Sequence, residues 1–206
     1  MVTVKVTDEQ LMKKISTTSI LVTALLSACD ARPQSVTVKD LDVSFIVPTG
    51  WNYVPGSSTT VRLRPKDADN GPHQACMITK NEPPERARSS TQVEINEWFD
   101  ANPITDESFA RYISANIGVP TRGVRSGKTQ IDDALAYWTE TESILSSQSS
   151  DHLYYRGKYV IAITPHGDWR INCAVASPDS PDSAARLFED LRPTMDRFIS
   201  SIRFHT

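Results

Sequence analysis

The chain has 206 residues and a mass of 22.9 kDa, which suits one compact domain, and its 8 glycines and 13 prolines exclude a collagenous or low-complexity polypeptide. Hydrophobic residues at 39% can supply a core, while 22 Lys and Arg against 25 Asp and Glu leave a net charge of −3. That balance argues against the basic face of a nucleic-acid binder, so no nucleic-acid partner is expected.

The first readable element is an export signal. Met12-Lys13-Lys14 starts it, an apolar run from Ile20 to Ala28 follows, and Cys29 ends it. The run is shorter than the roughly 20 residues a transmembrane helix needs. Leu26-Ser27-Ala28-Cys29 resembles a bacterial lipobox, which implies a diacylglyceryl group on the Cys29 sulfur and removal of residues 1–28. Residues 1–11 carry Asp8 and Glu9 ahead of the signal, which fits a true start at Met12. Two or three acyl chains, at about 0.8 kcal/mol per buried methylene, anchor a protein stably. The expected location is therefore the bacterial envelope, facing the periplasm. Asp30 resembles the retention signal of enterobacterial inner-membrane lipoproteins, and the choice between inner and outer membrane stays open. Cleavage leaves 19 basic against 23 acidic residues, a charge of −4, so attachment rests on lipid and gains nothing from an anionic bilayer. Residues 29–35 are read as a lipidated tether and 36–206 as a single domain.

Beyond the tether, Val43–Val47 is β-rich and stops at Pro48, with Thr49-Gly50-Trp51 as a turn. A strand over Thr60–Arg64 places Val61 and Leu63 on one face and Arg62 and Arg64 on the other. Residues 66–72 form a turn, the strand carrying Cys76 follows, and residues 85–90 read as a loop. Helical spacing appears over 91–100 and 105–117, stopped by Gly118 and Pro120. Val124–Ile131 and Ala134–Ile144 form a hairpin around Asp132-Asp133, and Tyr155–Thr164 pairs with Trp169–Ser177. A helix over 183–200 is expected to break at Pro193, and Ser201–Phe204 closes the domain. The order predicts an α+β domain, an antiparallel β-sheet covered by helices.

Cys76 and Cys173 both fall on strands, and an even pair in an oxidising compartment suggests one disulfide, with two buried thiols as the alternative. Closing a loop of about 100 residues is worth roughly 4.7 kcal/mol in the chain-entropy model.

Three segments carry a family resemblance. Phe45-Ile46-Val47-Pro48-Thr49-Gly50-Trp51 resembles the opening strand and turn of PsbP-like, DcrB-type proteins, Gly127–Tyr137 resembles their central hairpin, and Phe198–Phe204 is similar to their closing helix and strand. The resemblance spans most of residues 43–204, leaves 91–117 unmatched, and implies an αβα sandwich used as an adaptor or stabilising module, with no shared catalytic site.

Catalytic templates fail one by one. Gly123-Val124-Arg125-Ser126-Gly127-Lys128-Thr129 has three residues where a phosphate loop needs four and leads into a strand, so no nucleotide is expected. His73, His152, His166 and His205 show no metal-ligand spacing, and no metal or other cofactor is expected. Ser146–Ser150 is a solvating loop with no nucleophile elbow. Glu140 and Glu142 share a strand face about 7 Å apart, a glycosidase-like separation, but alternating polar residues read as a solvated sheet face. Glu94 and Glu97 read as a wet helix face, and Trp51, Trp98, Trp138 and Trp169 as core.

The expectation is a non-catalytic, lipid-anchored binding or adaptor module whose partners are the membrane, through its lipid, and another envelope or secreted protein. An immunity or inhibitor lipoprotein that neutralises a periplasmic antibacterial toxin is a second reading, and a cell-wall-acting enzyme a third. Only Cys29 has an assigned functional role.

Overall fold

The computed structural model describes residues 34–67, 73–146 and 152–205; the signal segment, Cys29, residues 68–72 of the expected turn and residues 147–151 of the serine-rich loop lie outside the described residues. Strand β1 (Gln34–Val38) leads through a 3-10 turn (Lys39–Leu41) into β2 (Val43–Val47), β3 (Trp51–Pro55), β4 (Thr60–Pro65) and β5 (His73–Asn81). Helices α1 (Glu85–Arg88), α2 (Gln92–Ala101) and α3 (Asp106–Ile117) follow. The long strands β6 (Thr121–Ile131), β7 (Ala134–Ser146), β8 (His152–Thr164) and β9 (Gly167–Ser177) come next, then α4 (Pro181–Ser200) and β10 (Arg203–Phe204).

The fold is α+β with antiparallel sheets covered by helices. A seven-stranded sheet has the order β3-β4-β5-β9-β8-β7-β6, and a three-stranded sheet the order β1-β2-β10. One face of the large sheet packs against α4 and the small sheet, burying Phe45, Leu63, Ile78, Trp169, Phe188 and Phe198 in one core. The opposite face meets α1–α3, where Ile95, Phe99, Phe109 and Ile113 pack on Tyr137 and Ile161. Strands β7–β9 are thus buried on both faces along much of their length, which explains the unbroken apolar run Val160–Ile163. Trp169 and Trp51 are core residues, and Trp98 and Trp138 are half-buried against the two cores.

Four local readings are corrected. Gln34 and Ser35, assigned to the tether, pair with Val47 and Ile46 as part of β1. Trp51, read as a turn residue, opens β3 and pairs with Pro65. Residues 85–88 make one helical turn inside the expected loop. Pro193 does not break α4, because the hydrogen bond that proline forfeits is offset by a buried stripe of Ala184, Phe188, Met195, Phe198 and Ile199.

Caps set the helix starts. The Thr91 hydroxyl accepts from the Glu94 amide while the Glu94 carboxylate accepts from the Thr91 amide at 2.7 Å, a reciprocal capping box for α2. These bonds hold the Glu94 carboxyl below its ordinary value of 4.5. A lowered pKa stabilises the fold above the unfolded value and loses that contribution as pH falls through the folded one. Protonation of Glu94 should therefore fray α2 only below about pH 4.5, which site-resolved NMR titration would read; a Glu94 midpoint at or above 4.5 would contradict the box.

Candidate functional site

The hairpin β6–β7 turns at Asp132, which sits at φ 54°, a left-handed conformation that aspartate tolerates. Its register sets Arg125 opposite Glu140 and, beyond a bulge between Gly123 and Arg125, Arg122 opposite Glu142. On the other side of β7, Arg156 of β8 lies opposite Glu142. Gly123–Thr129 is accordingly strand throughout, with no helix after it to cradle a phosphate.

Glu140 is not the solvated residue expected from alternation; it is 1% exposed. Helix α4 crosses this face and brings Arg192 to the carboxylate, donating from Nη1 to Oε1 at 2.6 Å and from Nη2 to Oε2 at 3.1 Å. Arg125 donates to Oε1 at 2.7 Å, and Arg156 lies 3.6 Å from Oε2. Glu142, further out, accepts from Arg122 at 2.7 Å and from Arg156 at 3.1 Å. The two carboxylates that could resemble a glycosidase pair are thus held by four guanidinium groups. Such an arrangement fixes α4 on the sheet and buries Glu140, while Glu142 stays 39% exposed.

A second acid lies on the opposite face. Burial pushes the Asp168 carboxyl up, and its ion pair with Arg170 offsets this in part. The Arg170 guanidinium sits 4.8 Å from the Tyr112 ring centre, and Tyr112 meets Tyr159 edge-on. Burial likewise pushes the Tyr159 hydroxyl up. This group is packed between α3 and the sheet.

The histidines are dispersed. His152 begins β8, His166 lies in the turn at the far end of that strand, and His205 shares a hydrogen bond of 2.8 Å with Ser44. Among the described residues no three His, Cys, Asp or Glu side chains gather as a metal site. Cys76 and Cys173 face each other in the β5–β9 ladder, buried, with their sulfurs bonded across 97 residues of sequence.

Two clefts remain. One, of about 520 Å³, lies where β6–β8 meet the start of α4, lined by Arg122, Glu142, Ile144, Arg156, Pro181 and Ala184; its arginines are engaged by Glu140 and Glu142. The other, of about 510 Å³, lies on the face that carries α1–α3, over β4, β5 and the later part of β9. Its floor is Ala75, Met77 and the buried Ala174, between Arg62, Arg64 and Tyr155. Among the described residues, Arg62 and Arg64 are the only charged ones lining it. The alternation along β4 places both on one face; the cleft itself left no trace in the local pattern.

Among the described residues no helix is long and apolar enough to cross a membrane. No family model matches the chain, and no curated protein matches it in sequence. Among solved structures it is similar to cyanobacterial PsbP (CyanoP) from Synechocystis, with 12% identity, TM-score 0.49, and coverage of 85% of this chain and 94% of that one. It is also similar to the Ran-binding protein Mog1p of Saccharomyces cerevisiae (8% identity, TM-score 0.45, coverage 84% and 95%) and to LpqN of Mycobacterium tuberculosis, described as involved in cell envelope biogenesis (11% identity, TM-score 0.44, coverage 85% and 91%).

Proposed function

We propose that the chain is a non-catalytic envelope lipoprotein, anchored through Cys29 and facing the periplasm, that works by binding another envelope or secreted protein. The observation that carries this reading is the cleft over β4, β5 and β9, an apolar floor edged by arginines, set against acids that are tied to guanidinium groups elsewhere. Four residues separate Cys29 from Gln34, so the domain stays within about 17 Å of its anchor. Such a tether suits a protein that acts next to the membrane surface.

Changing Cys29 to Ala should move the protein from the detergent phase to the aqueous phase of a detergent-partitioned periplasmic extract; a variant that stays in the detergent phase would overturn the anchor. Crosslinked capture with the full-length lipoprotein tests the partner. Envelope machinery as the dominant catch supports an adaptor, whereas one secreted toxin or hydrolase makes the protein its inhibitor. A hydrolytic activity abolished by Glu140→Gln or Glu142→Gln would sink the non-catalytic reading.

A further inference from the structure

We propose that the cleft between β6–β8 and the start of α4 binds a single-chain anionic amphiphile of the fatty-acid type, its carboxylate on the arginines and its chain along the apolar wall. The site stands on the cleft itself; only the source of the ligand, a bilayer beside the domain, rests on the lipoprotein reading.

The cleft, of about 520 Å³, has the size of ordinary ligand pockets, roughly 300–1,000 Å³, and their kind of lining, mostly apolar with a few polar groups. The apolar wall is Pro120, Ile144, Tyr154, Pro181, Ala184 and Ala185. Ile144 is 51% exposed, and an acyl chain lying on it would remove that apolar surface from water. The charged wall is Arg122, Glu142 and Arg156.

The charged wall sets the sign of the ligand. Its ion-pair network joins Arg122, Arg125, Arg156 and Arg192 with Glu140, Glu142 and Glu189, four positive charges against three negative. Arg156 donates from Nη1 to Glu142, but its Nη2 stands 3.6 Å from Glu140, outside hydrogen-bond reach, and its Nε has no hydrogen-bond partner among the described residues. Arg122 is exposed and directs its bonds to one oxygen of Glu142. A guanidinium carries five N–H donors, so a ligand carboxylate can join these arginines as a further acid without breaking either pair to Glu142. One negative charge completes the balance of the network.

The backbone of the cleft favours an acyl chain over a peptide. A buried peptide needs a partner for each N–H and C=O. Here Pro120 and Pro181 have no N–H, the Thr121 amide donates to Ser114 Oγ, the Ala184 amide donates to the Ser180 carbonyl, and residues 142–144 and 154–156 belong to the β7–β8 ladder. An acyl chain needs no such partners. Position supplies the source: Arg156 pairs with Val175 and Val175 with Gln74, at the end of the large sheet where Trp51 pairs with Pro65. Gln34 lies opposite Val47, just ahead of Trp51, so a chain anchored through Cys29 keeps this end of the sheet beside the bilayer, where acyl chains partition.

The test uses the full-length lipoprotein in phosphatidylcholine nanodiscs and a photoreactive palmitate with a diazirine near the end of its chain, adducts being mapped by mass spectrometry. The palmitate probe should mark Ile144 and Tyr154, and its neutral methyl ester should mark them at least about ten-fold less. Ala185→Trp, which fills the cleft from a half-buried position, and Arg122→Gln should each lower the palmitate adduct by a similar factor at an unchanged melting temperature. Arg122 is exposed, so its variant still reads the carboxylate site where Ala185→Trp does not fold. Benzoylphenylalanine in place of Ile144 should capture lipid in envelopes of the native host. Adducts spread over the surface or unmoved by Arg122→Gln, equal labelling by the methyl ester, or capture of a protein in place of lipid overturns the inference. Cys29→Ala separates the two readings. A soluble variant labelled in the cleft as wild type is keeps the inference without the bilayer as source, and an anchored wild-type protein with no cleft adduct overturns the inference while keeping the lipoprotein reading.

Discussion

Replacing Glu140 with alanine should destabilise the protein by about 3–5 kcal/mol, the cost of breaking a buried ion pair from one side. For a domain of this size that corresponds to a fall in melting temperature on the order of 10 °C. The carboxylate is 1% exposed and is shared by Arg125, Arg156 and Arg192, of which Arg156 and Arg192 have side chains only 12% and 17% exposed. Without it, two guanidinium groups remain largely out of water with their positive charge unmatched. Glu189 stays beside Arg192 and Glu142 beside Arg156, but both are far more exposed. Glu142→Ala serves as the contrast. Its side chain is 39% exposed, so its loss should cost no more than about 1 kcal/mol. Equal effects from the two variants in thermal and urea unfolding would show that burial does not set the worth of this network. The cost comes from removing one member; a wholly apolar replacement of similar volume could be neutral, which marks the network as a device that positions α4.

Removing the disulfide through Cys76→Ala and Cys173→Ala together should cost about 2–5 kcal/mol, close to the chain-entropy figure of about 4.7 kcal/mol for a loop near 100 residues. The bridge spans 97 residues of sequence and joins β5 to β9, the seam between the early strands β3–β5 and the later strands β6–β9. Nine residue pairs of that ladder persist without it, so the double variant should still fold, at lower stability. Reductant should lower the unfolding midpoint of the wild-type protein and leave that of the double variant unchanged. A wild-type midpoint indifferent to reductant under unfolding conditions would mean that the two cysteines contribute only as buried side chains.

Much of the architecture is written locally. The hairpin around Asp132-Asp133 is legible because both arms alternate and the turn carries residues suited to it, and counting outward from it already pairs Arg125 with Glu140. The second hairpin, β8–β9, is legible from two apolar runs around Pro165 and His166. Helices α2 and α3 announce themselves through Thr91 and Thr105 at their caps and Gly118 at the end of α3. Strand β1 escapes such a reading because Gln34-Ser35-Val36-Thr37-Val38 is short and half polar, and its pairing with β2 supplies the ladder that its composition does not advertise. Continuity of α4 through Pro193 escapes for a related reason. The rule against internal proline is local, while the apolar stripe that outweighs it gains its energy only against the sheet.

The functional surfaces divide along the same line. From the sequence alone come the expectation of an export signal anchored at Cys29, the order of most elements, and the sharing of one strand face by Arg62 and Arg64 and of another by Glu140 and Glu142. Periodicity states which side chains point the same way, because it follows from the geometry of one strand or helix. It cannot state what lies opposite them. That α4 closes over Glu140 and makes it a buried hub, and that a cleft with an apolar floor lies beside Arg62 and Arg64, are outcomes of packing between elements distant in the chain. Those outcomes are decided by where apolar area is buried across the whole domain.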